Sequence, residues 1–253
     1  MPFARHPHPS VLVMVTHATE REAGESMKPY YEQDGITIYH GDCREVPLDI
    51  DVVVITDPPY GTGQKIAYDV YKDTMTEWLE IMEWLLDFTF PMAFTMSHSR
   101  LFDLPKRPQW VGCWDKVFTG GITHVGASPT WEPICFYNLP AGNRGRPRWD
   151  DMFRYTPAGF PFNIARDTNG HPCPKPVDLY KKLIAVLPAD TVYDPMMGSG
   201  TTLRAAKDCR RKAIGIDLSE RYCEILPRSL SVKARCRWSW ARDGSPSRPG
   251  QRH

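Results

Sequence analysis

Residues 55–63 read Ile-Thr-Asp57-Pro58-Pro59-Tyr60-Gly61-Thr62-Gly63, directly after the apolar run Val52-Val53-Val54-Ile55. A buried strand that ends in an acid, two prolines and an aromatic is chemically restricted, because the prolines remove backbone donors and freeze the chain as it leaves the sheet. Asp57 then offers a carboxylate, the Pro58 carbonyl is left without a local helix or sheet partner, and Tyr60 sets a flat ring beside them. Two acceptors and a ring suit a planar group bearing an NH2. A Pro-rich strand exit followed by a Gly turn satisfies the same residues, so this stretch alone leaves both readings open.

A second constellation lies at residues 192–202, Val192-Tyr193-Asp194-Pro195-Met196-Met197-Gly198-Ser199-Gly200-Thr201-Thr202. Two glycines at a strand-to-helix turn let the backbone approach a ligand closely, and the helix start that follows offers N–H groups to an anion. It is not a P-loop, because no Lys follows the second glycine, and it lacks the three-glycine dinucleotide fingerprint. Asp217 ends the next strand roughly twenty residues on, where α/β nucleotide folds place the partner of a ribose hydroxyl pair. The combination fits an adenosyl ligand without phosphates; a packed Gly turn with a helix-capping acid is the plainer alternative. Ahead of the helix at 177 stands His171-Pro172-Cys173-Pro174-Lys175-Pro176, a Lys held between prolines that suits a ligand carboxylate and equally suits an ordinary Pro-rich helix start.

The elements that must position these groups alternate. Ile36 to Tyr39 reads as a strand leading into His40-Gly41-Asp42, and Asp51 to Ile55 as a continuous apolar strand of the kind buried in a parallel sheet. Residues 75–88 place apolar groups at helical spacing, with Trp78 and Trp84 read as packing residues. Further strands are expected at Phe90 to Met96, Trp110 to Val117 and Glu132 to Tyr137. A helix over 177–187 precedes a short strand at Thr191 to Tyr193, then a helix over Thr201 to Lys207 and a strand from Ala213 to Ile216. Strands alternating with helices predict an open α/β sheet, mostly parallel, with helices on both faces. Between Leu139 and Pro174 periodicity is lost and Gly, Pro and Arg accumulate, which reads as a long surface excursion and not a packed element.

Composition narrows the class. The 253 residues are 42% hydrophobic and 24% charged with a formal net charge of +1, which fits one globular domain and excludes a disordered or polybasic arm. Near-neutrality does not exclude a nucleic-acid partner, because a local basic stripe can make the phosphate contacts. The seven cysteines are scattered without a C-x-x-C or paired-His spacing, so no metal site is expected and they read as reduced thiols in a cytoplasmic protein. No apolar stretch approaches the roughly 20 residues of a membrane span. Residues 1–26 are expected to be a poorly ordered extension with Met27 as the true start, followed by a domain over 27–226 and an irregular tail over 227–253.

Taken together, these residues resemble the S-adenosylmethionine-dependent amino-group DNA methyltransferases, the N6-adenine and N4-cytosine family whose catalytic motif is Asp/Asn/Ser-Pro-Pro-Tyr/Phe. The catalytic motif comes first, then a variable basic region, His-Pro-x-x-Lys-Pro and the Gly-rich loop, an order similar to the circularly permuted beta class. Gly41-Asp42-Cys43 and the segment from Gly215 to Tyr222 also match, so the resemblance runs from about Tyr30 to Glu224. It implies a Rossmann-like methyltransferase fold, with Asp57, Pro58, Pro59 and Tyr60 catalytic. It also implies a cofactor site in which Asp42 meets adenine and Asp217 the ribose, with Asp194, Gly198, Ser199, Gly200 and Thr201 around the methionine end and Lys175 as a further contact. Two departures stand out: Met196 replaces the family's usual Phe, and Leu226-Pro227 is expected to interrupt the helix that normally continues there, as in a truncated or frame-shifted end.

The implied reaction is methyl transfer to the N6 amine of adenine in double-stranded DNA after base flipping, with the Gly61 to Asp69 segment as a mobile lid. Arg144, Arg146, Arg148 and Arg154, with Trp149 and Tyr155 nearby, are the candidate DNA contacts; a solvated loop partly neutralised by Asp150 and Asp151 is the alternative. Asp57 favours adenine over cytosine, since Ser is commoner at that position in N4-cytosine enzymes. Ribosomal-RNA and protein-glutamine methyltransferases carry similar tetrapeptides but generally place the Gly-rich loop first. A catalytically impaired DNA-binding relic is the remaining alternative. A homodimer and a cognate restriction nuclease are compatible with the resemblance, and the residues specify neither.

Overall fold

The computed structural model describes residues 27–48, 50–63, 73–117, 126–141, 149–157, 175–187, 189–230, 239–240 and 246–247. The expectations for residues 1–26, for 64–69 of the lid segment, for Arg144, Arg146 and Arg148, for His171 to Pro174 and for most of the tail lie outside these residues.

In chain order the elements are β1 (Tyr31–Gln33), β2 (Ile36–His40), β3 (Val53–Thr56), α1 (Met75–Leu86), β4 (Met92–Thr95), β5 (Trp110–Asp115), β6 (Trp131–Tyr137), β7 (Met152–Arg154), α2 (Val177–Val186), β8 (Thr191–Asp194), α3 (Thr201–Asp208), β9 (Lys212–Asp217) and α4 (Glu220–Leu230). A separate pair, β10 (Ser239–Trp240) and β11 (Pro246–Ser247), lies in the tail. Among the described residues, β1 to β9 form one sheet in the order β1-β2-β9-β8-β3-β4-β6-β5-β7. The pairings from β2 through β9, β8 and β3 to β4 are parallel, whereas β6 runs antiparallel to both β4 and β5. The expected open, mostly parallel sheet is therefore present.

The apolar strands explain the layering. Successive side chains of a strand point to opposite faces, so Val53 and Ile55 join Ile134, Phe136 and Val192 on one face, where Leu179, Leu183, Leu203, Ala206 and Leu226 of α2, α3 and α4 cover them. Val52 and Val54 join Phe94, Cys135 and Tyr193 on the other, under Trp78, Met82 and Leu85 of α1. Helix α1 begins at a capping box in which Thr74 and Glu77 satisfy each other's backbone N–H groups, and its buried residues recur at helical spacing. Trp78 is a packing residue, fully buried.

Connectivity creates a crevice. From β3 the chain passes through α1 to β4 on one side, whereas from β8 it passes through α3 to β9 on the other. Because β3 and β8 are neighbours, the crossovers diverge between their carboxyl ends, the place where open α/β sheets bind ligands.

Two expectations need correction, and one strand was not anticipated. The 139–174 range contains β7, which pairs parallel with β5 and buries Phe153, and Trp149 packs against the same core, so part of that range is a packed element. A three-residue strand flanked by loops leaves no periodicity to detect. Pro227 does not end α4: the helix continues to Leu230, and Leu226 and Leu230, one turn apart, are both buried. Their burial offsets the backbone hydrogen bond lost at Pro227. Strand β1 was not expected, yet its hairpin to β2 turns at Asp34 and Gly35, with φ of 54° and 76°. Asp-Gly is the sequence signal of that turn.

Gly200 precedes α3 with φ +78°, and a Cβ built there would stand 2.2 Å from Leu226 Cδ1. Gly200→Ala is expected to destabilise the protein by about 1–3 kcal/mol through strain and overpacking. Leu226→Ala should rescue part of that loss, and simple additivity in urea unfolding of the single and double variants would place the cost elsewhere.

Candidate active site

The parallel strands deliver their polar residues to one rim. Thr56 ends β3 and Asp57 follows it; Thr95 ends β4, Asp194 ends β8, Asp217 ends β9, and Asp42 lies just past β2. Above this rim opens a cavity of about 650 Å³. Asp57, Pro58, Pro59 and Tyr60 line it together with Asp42, Lys175, Asp194, Gly198, Ser199, Thr201 and Asp217. Two motifs separated by more than half the chain thus face one space.

In the half of the cavity beside β8 and β9, carboxylates order the loops. Asp194 is buried; its Oδ1 accepts from Thr56 Oγ1 at 2.7 Å and from the Met196 N–H at 3.1 Å. Burial pushes its carboxyl up to about 7, against hydrogen bonds from Thr202, Thr56 and Met196 that favour the charged form. Asp217 accepts the Gly198 N–H on Oδ2 and the Ser219 N–H on Oδ1, each at 2.8 Å, so the acid assigned to a ribose also ties the Gly-rich loop to the end of β9. Burial raises the Asp217 carboxyl, partly offset by those two bonds. Asp42 accepts from the Arg44 backbone and guanidinium, and the guanidinium bond holds its carboxyl below the usual range. Ser199 Oγ lies 3.3 Å from Thr201 Oγ1, which in turn donates to the Lys175 carbonyl at 3.4 Å. Gly200 is not among the residues lining the cavity, and its missing side chain leaves room for Leu226.

The corner after β3 holds more than the sequence suggested. Residues 57–63 belong to neither helix nor strand. Thr95 Oγ1 makes a short hydrogen bond to Asp57 Oδ1, which also accepts from the Tyr60 hydroxyl at 2.9 Å. Lys175 Nζ lies 2.7 Å from Asp57 Oδ2 and donates to the Tyr60 hydroxyl at 2.7 Å. The same ammonium sits 4.8 Å from the Tyr60 ring centroid, beside the hydroxyl edge of the ring. Burial, Asp57 and Glu132 push the Tyr60 hydroxyl well above its ordinary range, keeping it a donor.

Glu132 and Lys116 were not singled out from the sequence. Glu132 is a buried acid at the start of the apolar β6; its Oε2 lies 2.8 Å from the Tyr60 hydroxyl, and its Oε1 lies 2.5 Å from Lys116 Nζ. Burial raises its carboxyl, but Lys175 and Lys116 outweigh burial, and the net displacement is downward. A charge inside Trp131–Tyr137, facing Lys116 just after the paired strand β5, was the available signal. Lys116 also stands 5.4 Å over the Trp114 ring. Asp73, buried, accepts the Gly61 and Thr62 N–H groups and anchors the near end of the segment read as a lid. Arg154 is outside the cavity, with its Nε bonded to Asp115 at 2.7 Å and its side chain 73% exposed.

Comparison with known proteins agrees with the resemblance read from the sequence. Residues 143–228 match the N6_N4_Mtase family model, described as DNA methylase. The chain is 25% identical over 248 residues to DNA adenine methyltransferase YhdJ of Escherichia coli (strain K12), covering 78% of this chain and 83% of that protein. It is 26% identical over 225 residues to Type II methyltransferase M.HpaI of Haemophilus parainfluenzae, covering 70% and 67%. Among solved structures, PvuII DNA methyltransferase (cytosine-N4-specific) aligns with a TM-score of 0.54 at 15% identity over 81% of this chain and 96% of that one. M1.HpyAVI in complex with SAM aligns with a TM-score of 0.51 at 23% identity over 77% and 99%. The expected Rossmann-like methyltransferase fold is thus shown.

The buried Asp194 makes a pH prediction. Its folded carboxyl titrates at about 7 instead of near 3.8, so the folded state binds the extra proton between those values. Its contribution is fully present below about pH 4 and is lost as pH rises towards about 7. Asp194→Asn, which cannot ionise, should therefore gain on the wild type by about 1–4 kcal/mol between about pH 4 and about pH 8 in urea unfolding. A pH-independent difference would show that this carboxyl is not raised.

Proposed function

We propose that this chain, a relative of the N6/N4 amino-group DNA methyltransferases, transfers a methyl group from S-adenosylmethionine to the N6 amine of adenine in double-stranded DNA. The observation that carries the proposal is that Asp57, at the end of β3, and the Gly-rich loop, at the end of the adjacent β8, open on one cavity at the crossover of the sheet. Its volume of about 650 Å³ is in the range of cofactor pockets.

The residues present fit the cofactor. Asp42 and Asp217 are carboxylate acceptors on one side for an adenosyl group, and the 194–199 loop with Thr201 supplies a turn and hydroxyls for the methionine end. S-adenosylmethionine, when bound, supplies a methyl group activated by a sulfonium centre. Lys175, tied through its carbonyl to Thr201 and through its ammonium to Asp57, joins the two halves of the site.

Adenine's exocyclic amine is a poor nucleophile because its lone pair is delocalised into the ring. The Asp57 carboxylate and the Pro58 carbonyl accept the two amine hydrogens, favour a pyramidal nitrogen and stabilise the positive charge that develops there. Extruding the base costs a few kcal/mol, and stacking on Tyr60 returns about 1–3 kcal/mol. For the DNA backbone we assign Arg144, Arg146 and Arg148 with the exposed Arg154. Asp57 favours adenine over the N4 amine of cytosine, and the similarity to a relative named as an adenine methyltransferase supports the same choice.

Incubation with unmodified DNA and labelled cofactor, followed by nucleoside analysis, is expected to yield N6-methyladenine; N4-methylcytosine would move the target, and no labelled nucleoside would remove the reading. Asp57→Ala should lower methyl transfer at least about 100-fold while cofactor affinity stays within about 2-fold, as for loss of a group acting in the transition state. Retained turnover would remove Asp57 from its role. Paired Arg→Ala changes among Arg144, Arg146 and Arg148 should weaken DNA binding and flatten its salt dependence by about 0.9 per lost phosphate contact. An unchanged slope would place DNA contact elsewhere.

A further inference from the structure

We propose that Glu132 is a positioning residue, the alternative acceptor that draws the Tyr60 hydroxyl and the Lys175 ammonium off Asp57 when a substrate amine docks there. The inference rests on the reading of Asp57 as the amine's acceptor. In the structure Asp57 is already engaged: Oδ1 accepts from Thr95 and Tyr60, and Oδ2 faces Lys175. Each carboxylate oxygen has about two lone-pair sites, so Oδ1 has none left for an amine hydrogen while the Tyr60 hydrogen points at it.

Both movable donors also face Glu132. The Tyr60 oxygen stands 2.9 Å from Asp57 Oδ1 and 2.8 Å from Glu132 Oε2, yet carries a single hydrogen. Rotation of the hydroxyl moves that hydrogen from one acid to the other without displacing a heavy atom. Lys175 Nζ is 2.7 Å from Asp57 Oδ2 and 3.6 Å from Glu132 Oε2, so a shift of about 1 Å makes the second contact a charge-assisted bond. Thr95 has no such alternative acid and remains on Asp57, where it fixes the carboxylate's orientation.

Glu132 is built to receive them. Its other oxygen is pinned by Lys116 at 2.5 Å, so the carboxylate cannot swing away. Lys116 and Lys175 both lie over the Trp114 ring, at 5.4 and 5.8 Å from its centroid, on the strand next to β6. A buried acid with one lysine would already be neutralised. The second lysine and the tyrosine have no need of Glu132 for charge balance, because Asp57 holds them too.

The test compares Glu132→Gln, which keeps an acceptor oxygen and the shape, with Glu132→Ala, in the full chain on DNA with labelled cofactor. We expect kcat to fall about 10-fold for Gln and about 100-fold for Ala, with KM for DNA and for cofactor within about 3-fold. Combined with Tyr60→Phe, which removes the competing hydroxyl, Glu132→Gln should cost less than its single effect. A Gln variant with wild-type kcat, a rise in KM alone, or strictly multiplicative losses in the Tyr60→Phe pair would overturn the assignment. Should the Ala variant fail to fold, the Gln variant and its pair with Tyr60→Phe decide. A wild-type chain that transfers no methyl group would remove the reading of Asp57 and this inference with it, whereas an active wild type with an unaffected Gln variant removes the inference alone.

Discussion

The parallel pairing of β3 with β8, Val53 against Val192 and Val54 against Tyr193, is the constraint on which the site depends. It joins segments distant in sequence and lays their carboxyl ends side by side. The bond from Thr56 Oγ1 to the buried Asp194 crosses that seam at 2.7 Å and sets the spacing between the amine corner and the Gly-rich loop. A slip of one residue would turn Val53, Val54 and Ile55 to the wrong faces and exchange two buried layers. Because both faces are packed by helices, register is enforced from both sides, and the polar ends inherit it.

The same seam explains why so many charges can be tolerated around one cavity. The acids have partners: buried Asp194 has Thr56 and a backbone N–H, half-buried Asp217 two backbone N–H groups, and buried Glu132 two lysines and a tyrosine. Buried polar groups of this kind are costly unless bonded. Here the bonds also tie loop to loop, so satisfying the acids orders the site. Lys175 extends the pattern, since its backbone carbonyl meets the Gly-rich loop while its ammonium meets the amine corner.

Legibility followed locality. The apolar run at residues 52–55, the helical spacing of α1 and the Gly-rich turn before α3 are patterns within a short window, and the structure contains the strand, helix and turn they predicted. Strand β7 was missed because three residues carry no period, and α4 was expected to stop at Pro227 because the burial of Leu230 one turn later depends on neighbours that a local reading does not see. The packing of Gly200 against Leu226, which comes from another helix, was likewise invisible in a local window.

The sequence by itself determined which chemical groups are present and where each leaves its strand: Asp57 between an apolar run and two prolines, Asp194 before the Gly-rich turn, Asp217 at the end of the next strand. Those are consequences of local backbone restriction and of side-chain period, which act over a few residues. Only the tertiary structure decided that Lys175 faces Asp57 and that Glu132 and Lys116 enter the same network from β6 and the end of β5. The reason is physical: partner choice among buried charges depends on distance and desolvation across packed strands, and neither quantity is encoded in spacing along the chain.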